Sequence, residues 1–242
     1  MDSSVCSTHE QVYERLVTEQ LKDAFRPYVV TARRFLRREL RLTDIGYATK
    51  VSYSQFGEDL WLGEYFADRP NGFYVDVGAY DPFNASNTLL LYRQGWHGIN
   101  IEPDPAALAR LQRFRPRDTN LGFAISDVSG EAGFLLDGSF STIERSEHEI
   151  LGTSSRIVVR TRRLEEVLSE WTHGNEIDLL DVDCEGLDLT VLQSNDWQRF
   201  RPRVVLAESH LDPPSDLQSF MLGVGYERVA RFTVTYAFER ID

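Results

Sequence analysis

The segment Asp181-Val182-Asp183-Cys184-Glu185-Gly186 gathers three carboxylates around a small thiol at the end of an apolar run. Alternation along a strand puts Asp181 and Asp183 on one face, where both cannot be buried and ionised without a partner. A carboxyl whose proton is contested in this way suits proton transfer, so Asp183 and Glu185 are the first candidates for a general base or for metal ligands. Ala207-Glu208-Ser209-His210 closes a second apolar run. It adds a carboxylate, Glu208, and an imidazole, His210, that can take a proton near neutral pH. Asp183, Glu185 and Glu208 would form an oxygen-rich Mg²⁺ site if the fold brings them together. The plainer alternatives are a solvated histidine and strand-end acids that hold no metal. Cys184 reads as a small packing residue and not as a nucleophile.

Two further acids end apolar runs upstream. Gly72-Phe73-Tyr74-Val75-Asp76-Val77-Gly78-Ala79-Tyr80 carries Asp76 and one glycine, and Gly98-Ile99-Asn100-Ile101-Glu102-Pro103 carries Glu102. Buried strands tipped by carboxylates point to a doubly wound sheet gripping an adenosine-containing ligand beyond its carboxyl ends. A dinucleotide needs several glycines for backbone to approach a pyrophosphate, whereas S-adenosylmethionine has no phosphate and needs one close passage. Gly78 alone fits the second ligand. In that reading Asp76 orders the glycine turn and faces the methionyl end, Gly78 and Ala79 lie beneath the ligand, Tyr80 flanks it, and Glu102 accepts the ribose hydroxyl protons.

The surrounding words extend this. Ser54-Gln55-Phe56-Gly57-Glu58-Asp59 precedes the first strand, and Ser86-Asn87-Thr88 is read into the helix that follows it. Gly95-Trp96-His97-Gly98 leads to the second strand. Arg115-Pro116-Arg117-Asp118-Thr119-Asn120-Leu121, Ala124-Ile125-Ser126, residues 177–189 and Ser194-Asn195-Asp196-Trp197 come later. In that order, from about residue 52 to 208, the chain resembles the FkbM family of S-adenosylmethionine-dependent methyltransferases. The resemblance implies an α/β, Rossmann-like class I fold and O-methylation of a sugar, glycan or natural-product hydroxyl. It also implies donor contacts from Gln55, Glu58, Asn87 and Pro103 beside those named above, with Asp183 among them; for Gln55 and Glu58 a cap on the following helix is the equal alternative. Ser126 and Asp127 follow the third strand, where such folds meet the adenine. Residues 134–150 match only loosely, through Ser141-Thr142-Ile143, so acceptor identity does not carry over. Asp212-Pro213-Pro214-Ser215 is a turn; it lacks the aromatic that would stack a base in amino-group methylation.

The elements that must position these groups follow from periodicity. Strands are predicted at about 73–77, 98–102, 119–124, 177–183 and 203–208, with an antiparallel pair near 225–230 and 233–239 closing a mostly parallel sheet. The polar, Gly- and Ser-rich stretch 130–156 is expected to be irregular, a mobile cover over the site or a surface insertion. Residues 1–50 form a helical extension to a catalytic domain at 51–242. An amphipathic helix covers 9–25, Pro27 interrupts it, and a second spans about 28–42 with a basic face of Arg33, Arg34, Arg37, Arg38 and Arg41. That face is solvated, packs on a partner or second subunit, holds a phosphate-bearing acceptor, or makes peripheral contact with an anionic membrane. A homodimer is expected from the apolar side.

Of 242 residues, 26 are Lys or Arg and 38 are Asp or Glu, a net charge of −12. The first 50 hold nine basic and seven acidic residues, leaving 17 and 31 for the body. So acidic a body is a poor match for a phosphate backbone, and nucleic acid is disfavoured as a partner; the acceptor is a small molecule or glycan. No apolar run reaches the ~18–20 residues of a membrane span, and the two cysteines form no framework, which places the expected setting in the cytoplasm. The competing functions are a catalytically silent S-adenosylmethionine-binding assembly module, which predicts binding without turnover, and a nicotinamide oxidoreductase, which the missing phosphate cradle disfavours.

Overall fold

The computed structural model describes residues 51–143, 155–211 and 214–241. The helices read at 9–25 and 28–42, with their basic face and dimer expectation, lie outside the described residues, as does the first half of the Asp212-Pro213 turn.

Helix α1 (Glu58–Tyr65) precedes β1 (Phe73–Val77), α2 (Leu89–Arg93), β2 (His97–Ile101), α3 (Pro105–Phe114) and β3 (Thr119–Leu121). Strands β4 (Ala124–Ile125), β5 (Gly130–Leu136), β6 (Thr142–Ile143) and β7 (Ser155–Arg162) follow. The chain then runs through α4 (Leu164–Trp171), β8 (Leu179–Val182), α5 (Asp188–Gln193), β9 (Val204–Glu208), α6 (Ser215–Gly223), β10 (Tyr226–Phe232) and β11 (Thr235–Arg240). Seven strands form one sheet in the order β10-β11-β9-β8-β1-β2-β3. Pairing is parallel from β9 to β3 and antiparallel at β9-β11 and β11-β10. From β1 the chain winds outward through β2 and β3, then returns to the other side of β1 as β8. The β1/β8 boundary is therefore where strand order reverses, and ligands of open α/β sheets bind beyond the strand ends there.

Strand β1 is buried along its whole length, as a central parallel strand covered on both faces must be. Its odd positions Phe73, Val75 and Val77 pack with Ile99, Ile101, Leu180 and Val182 against Leu164, Val167, Leu168, Val191 and Leu192 of α4 and α5. On the opposite face Tyr74, Leu179, Val204 and Leu206 meet Trp61, Leu62 and Phe66 at α1 and Leu91 and Tyr92 of α2. Period-two alternation thus sends Asp76 and its register partner Asp181 to the α1 face, towards the carboxyl ends. No helix among the described residues is long and apolar enough to cross a membrane.

Two expectations need correction. The stretch expected to be irregular holds β5, β6 and the first residues of β7, which with β4 form a second, four-stranded sheet, β4-β7-β5-β6. Its core is Ala124, Phe134 and Val159, and the alternation Ile157, Val159, Thr161 turns every second residue of β7 inward. Ser86-Asn87-Thr88 lies before α2 and not within it; Thr88 is the residue at its amino-terminal cap. The hydroxyl there is diverted to the sheet, donating to Asp76 Oδ2 at 2.6 Å, and Ser86 N–H is held by Tyr53 O at 3.0 Å.

Candidate active site

A cleft of about 510 Å³, its open mouth included, lies over the carboxyl ends of β8, β1, β2 and β3. Along the sheet its wall begins with Asp183, Cys184 and Leu187 after β8, passes Gly78 and Tyr80 after β1, and reaches Glu102 and Pro103 after β2. It ends on Phe123, Ala124 and Ile125, with Phe134, Gly138, Ser139, Ser141, Thr142 and Ile143 of the second sheet closing the top. The cover expected from sequence is thus over the cleft, as a small sheet.

Gly78 makes the passage from β1 possible. Its φ of +87° is left-handed, and a Cβ added there would fall within 3.0 Å of the backbone carbonyl oxygen of Asp183. The glycine is therefore demanded by the neighbouring β8 backbone, which Asp183 N–H binds to Val77 O at 3.0 Å. Gly78 N–H and Ala79 N–H both donate to Ile101 O, at 2.9 and 3.3 Å. Tyr80 also takes a positive φ, +41°, and its N–H donates to Glu102 Oε2 at 2.9 Å. Asp104 N–H donates to Glu102 Oε1 at 2.7 Å. Each oxygen of Glu102 is thereby aimed and keeps a lone pair for a further donor. Burial pushes its pKa up to about 7, against the pull of the two N–H donors.

Carboxylates crowd the β8 side. Burial raises Asp76 to about 6, with Thr88 holding it down, and lifts Asp181 well above the carboxylate range, Asp76 adding to the rise. Asn87 Nδ2 donates to Asp181 Oδ1 at 3.1 Å. Asp183 is pushed up to about 8 by burial and by Glu208, and a hydrogen bond joins the two side chains. That bond raises Asp183 and lowers Glu208, whose pKa burial nonetheless raises overall, so of the two Asp183 is the readier to hold a proton. Burial and the Asp183 charge bring Glu185 to about 7, and Asp188, whose Oδ1 accepts Glu208 N–H at 2.9 Å, likewise reaches about 7. Burial drives the Cys184 thiol well above its ordinary value, in keeping with a packing role.

Glu185, Glu208 and His210 each offer a ligand atom, and these atoms lie within 4.8 Å of one another. His210 Nε2 stands 3.9 Å from Glu208 Oε2. The group that converges among the described residues therefore differs from the expected Asp183, Glu185 and Glu208: Asp183 pairs with Glu208, and the imidazole of His210 takes the third place.

Of the residues singled out from sequence, Gly78, Tyr80, Glu102, Pro103 and Asp183 line the cleft. Asp76 and Asn87 stand behind it through Thr88 and Asp181. Ala79 is buried in the turn. Glu58 is buried on α1, accepting from Phe56 N–H at 2.8 Å and Thr235 Oγ1 at 3.1 Å, and its charge helps raise Asp181, Asp183 and Glu208. Gln55 is exposed on the preceding loop. Ser126 and Asp127 lie outside the lining; Ser126 Oγ donates to Asp127 Oδ1 at 3.1 Å, and Asp127 is exposed. Sequence reasoning missed the apolar end, Phe123, Ile125, Phe134 and Ile143, and the hydroxyl of Thr142. The alternation in residues 157–161 was the available signal for the sheet that delivers them.

None of the curated proteins matches the chain significantly in sequence. The crystal structure of PH1948 from Pyrococcus horikoshii, described provisionally as an RNA methyltransferase, superposes with a TM-score of 0.40 at 12% identity over 83% of this chain and 96% of that one. At that TM-score the likeness supports no statement about substrate. The Methyltransferase FkbM domain matches residues 76–228, from the acid of β1 through the β8 acids and the β9 end into β10. That span takes in the wall of the cleft and most of the carboxylates around it, and on that match the chain belongs to the FkbM methyltransferase family.

Proposed function

We propose that residues 51–242 form an S-adenosylmethionine-dependent O-methyltransferase of Rossmann-like, class I architecture, acting on a hydroxyl of a sugar, glycan or natural product. The observation that carries this is the polarity of one cleft: a doubly anchored carboxylate, Glu102, separates an apolar end from an acidic end. The apolar end, Phe123, Ile125, Phe134 and Ile143, suits a planar base. Glu102 sits where a carboxylate can accept ribose hydroxyl protons, and the carboxylates beyond Gly78 suit a cationic sulfonium and its amino group. S-adenosylmethionine fits this donor set, and when bound it supplies an electrophilic methyl group.

The residues of the chain do the rest. Burial raises both carboxyls of the Asp183–Glu208 pair, while the bond between them raises Asp183 and lowers Glu208, so of the two Glu208 is the readier to carry negative charge. That charge is the sink for the proton of an acceptor hydroxyl, which is a poor nucleophile until the proton leaves. His210, beside Glu208, can pass the proton to solvent. The cleft walls align donor and acceptor, which supplies much of the acceleration of an in-line displacement. For Mg²⁺, the ligand atoms that converge among the described residues are those of Glu185, Glu208 and His210, and a set with an imidazole suits Mg²⁺ less well than the all-oxygen set of Asp183, Glu185 and Glu208 would. The acidic body favours an uncharged or cationic small-molecule or glycan acceptor over nucleic acid. The proposed setting is cytoplasmic, where Cys184 remains a free thiol.

Calorimetry tests the donor: S-adenosylmethionine and S-adenosylhomocysteine should bind and NAD should not. With hydroxylated acceptors screened by release of S-adenosylhomocysteine, Glu208→Gln and Asp183→Asn should each cut turnover by about 10²–10⁴, far more than either weakens S-adenosylhomocysteine binding. NAD binding alone would overturn the donor, and wild-type turnover in both variants would remove the pair from the reaction.

A further inference from the structure

We propose that Thr142, on the second sheet, is a donor-binding residue whose hydroxyl hydrogen-bonds the adenosyl half of the bound ligand. This rests on the donor reading above and names a residue for it that lies far along the chain from the strand-end acids.

Thr142 is 7% exposed and belongs to the wall of the cleft. Its Oγ1 is buried and has no hydrogen-bond partner. A hydroxyl removed from water without a partner is unfavourable, and native proteins rarely keep one unless a ligand, ion or water completes it. The neighbours of Thr142 show which part of the ligand that is. Strand β6 pairs with β5, setting Thr142 opposite Leu135 and Ile143 opposite Phe134. Phe134 packs with Ala124 and Val159, and Ile143 lies against them. Thr142 therefore shares its part of the cleft wall with Phe134 and Ile143, the apolar part where a base and not a methionyl group has its place. Asp127, the polar group that chain order assigns to this end, is exposed and outside the lining.

The segment is built to present it. Ser141 Oγ donates to Gly138 O at 2.7 Å and accepts Asp137 N–H at 2.9 Å, which closes the turn Gly138–Phe140 just before β6. Tyr80, whose backbone is fixed by Glu102, reaches the same turn: its hydroxyl lies 3.6 Å from the position of a Cβ on Gly138. Because Oγ1 is shielded from water, a ligand meets it through rotation about the Thr142 Cα–Cβ bond, which exchanges hydroxyl and methyl, or through a small opening of this turn.

The experiment compares wild type with Thr142→Val, which keeps the shape and removes the hydroxyl, and Thr142→Ser, which keeps the hydroxyl. Calorimetric titration uses S-adenosylhomocysteine and 5′-methylthioadenosine, which lacks the amino-acid portion. The Val variant should weaken both ligands by about the same factor, roughly tenfold, and the Ser variant should recover most of the loss. Ligand-free, the Val variant should melt no lower than wild type, because the hydroxyl it loses has no partner there. Wild-type affinity in the Val variant would overturn the assignment. So would a loss confined to S-adenosylhomocysteine, or a fall in ligand-free melting temperature that accounts for the weaker binding. If wild type binds neither compound, the donor reading fails first and takes this one with it; binding by wild type with an unaffected Val variant rejects Thr142 alone.

Discussion

Replacing Gly78 by alanine separates two reasons for a glycine. The left-handed φ of +87° alone costs an L-residue about 1–2 kcal/mol. At Gly78 the added Cβ would also press on the carbonyl of Asp183, a backbone group that cannot rotate away. Forcing it aside is an overpacking event of about 1–3 kcal/mol, so the total is about 2–5 kcal/mol. Gly186 provides the internal control, since its φ is +85° yet a Cβ there meets nothing within 4 Å. Gly186→Ala should therefore show only the conformational part. Urea unfolding of both variants, read at the midpoint with the slope unchanged, should place Gly78→Ala below Gly186→Ala by about 1–3 kcal/mol. The displaced carbonyl belongs to Asp183, so Gly78→Ala should also disturb the Asp183–Glu208 pair and lower turnover. Equal stability losses in the two variants would refute the argument that the β8 backbone, and not φ alone, requires the glycine.

The remaining predictions concern charge. Glu102→Gln should weaken S-adenosylhomocysteine by about 10–100-fold, the loss of a charge-assisted acceptor, and unchanged affinity by calorimetry would reject the ribose assignment. Asp76, Glu102, Glu185, Asp188 and Asp183 have folded-state pKa values of about 6, 7, 7, 7 and 8, above ordinary carboxylates. The folded chain therefore holds more protons than the unfolded one across roughly pH 4–8, and stability should fall as pH rises through that window. A melting temperature that is flat or rising between about pH 5 and 8 would contradict these protonation states. Arg115 is 1% exposed; it donates to Ser86 Oγ at 2.9 Å and Pro82 O at 3.3 Å, and pairs with Asp118 at 3.7 Å. Arg115→Met should cost about 3–5 kcal/mol in urea unfolding by removing the cation paired with the buried Asp118, which keeps its bonds from Tyr74, Gly98 and Asn100, and by freeing the loop before α2; a loss under about 1 kcal/mol would show the pair to be dispensable.

Much of this protein is legible one residue at a time. The apolar runs at 73–77 and 179–182 announce buried parallel strands because a strand covered on both faces carries hydrophobic residues at every position, and the acids that interrupt them stand out for the same reason. Strand and reversal positions along the main sheet follow from such local patterns, as does the pairing of a single glycine with Asp76 and Glu102. The second sheet was less visible because β5 opens with Gly130 and Gly133, whose missing side chains blur the alternation that β7 still shows.

Protonation, convergence and the purpose of each polar group belong to the tertiary structure. Asp183 and Glu208 are 25 positions apart in the chain, and only the adjacency of β8 and β9 lets them share a proton. Spacing grouped Asp183 with Glu185 and Glu208; packing turned Asp183 inward and brought His210 to the outer cluster instead. Gly78 looks from its neighbours like a glycine for a ligand, yet the carbonyl that excludes a side chain comes from a strand more than a hundred residues away. Thr142 looks like any surface threonine until a second sheet folds it over the cleft and leaves its hydroxyl alone. Local pattern records which face of an element is apolar, whereas pKa, steric exclusion and unpaired hydrogen bonds depend on distances between elements that no local pattern contains.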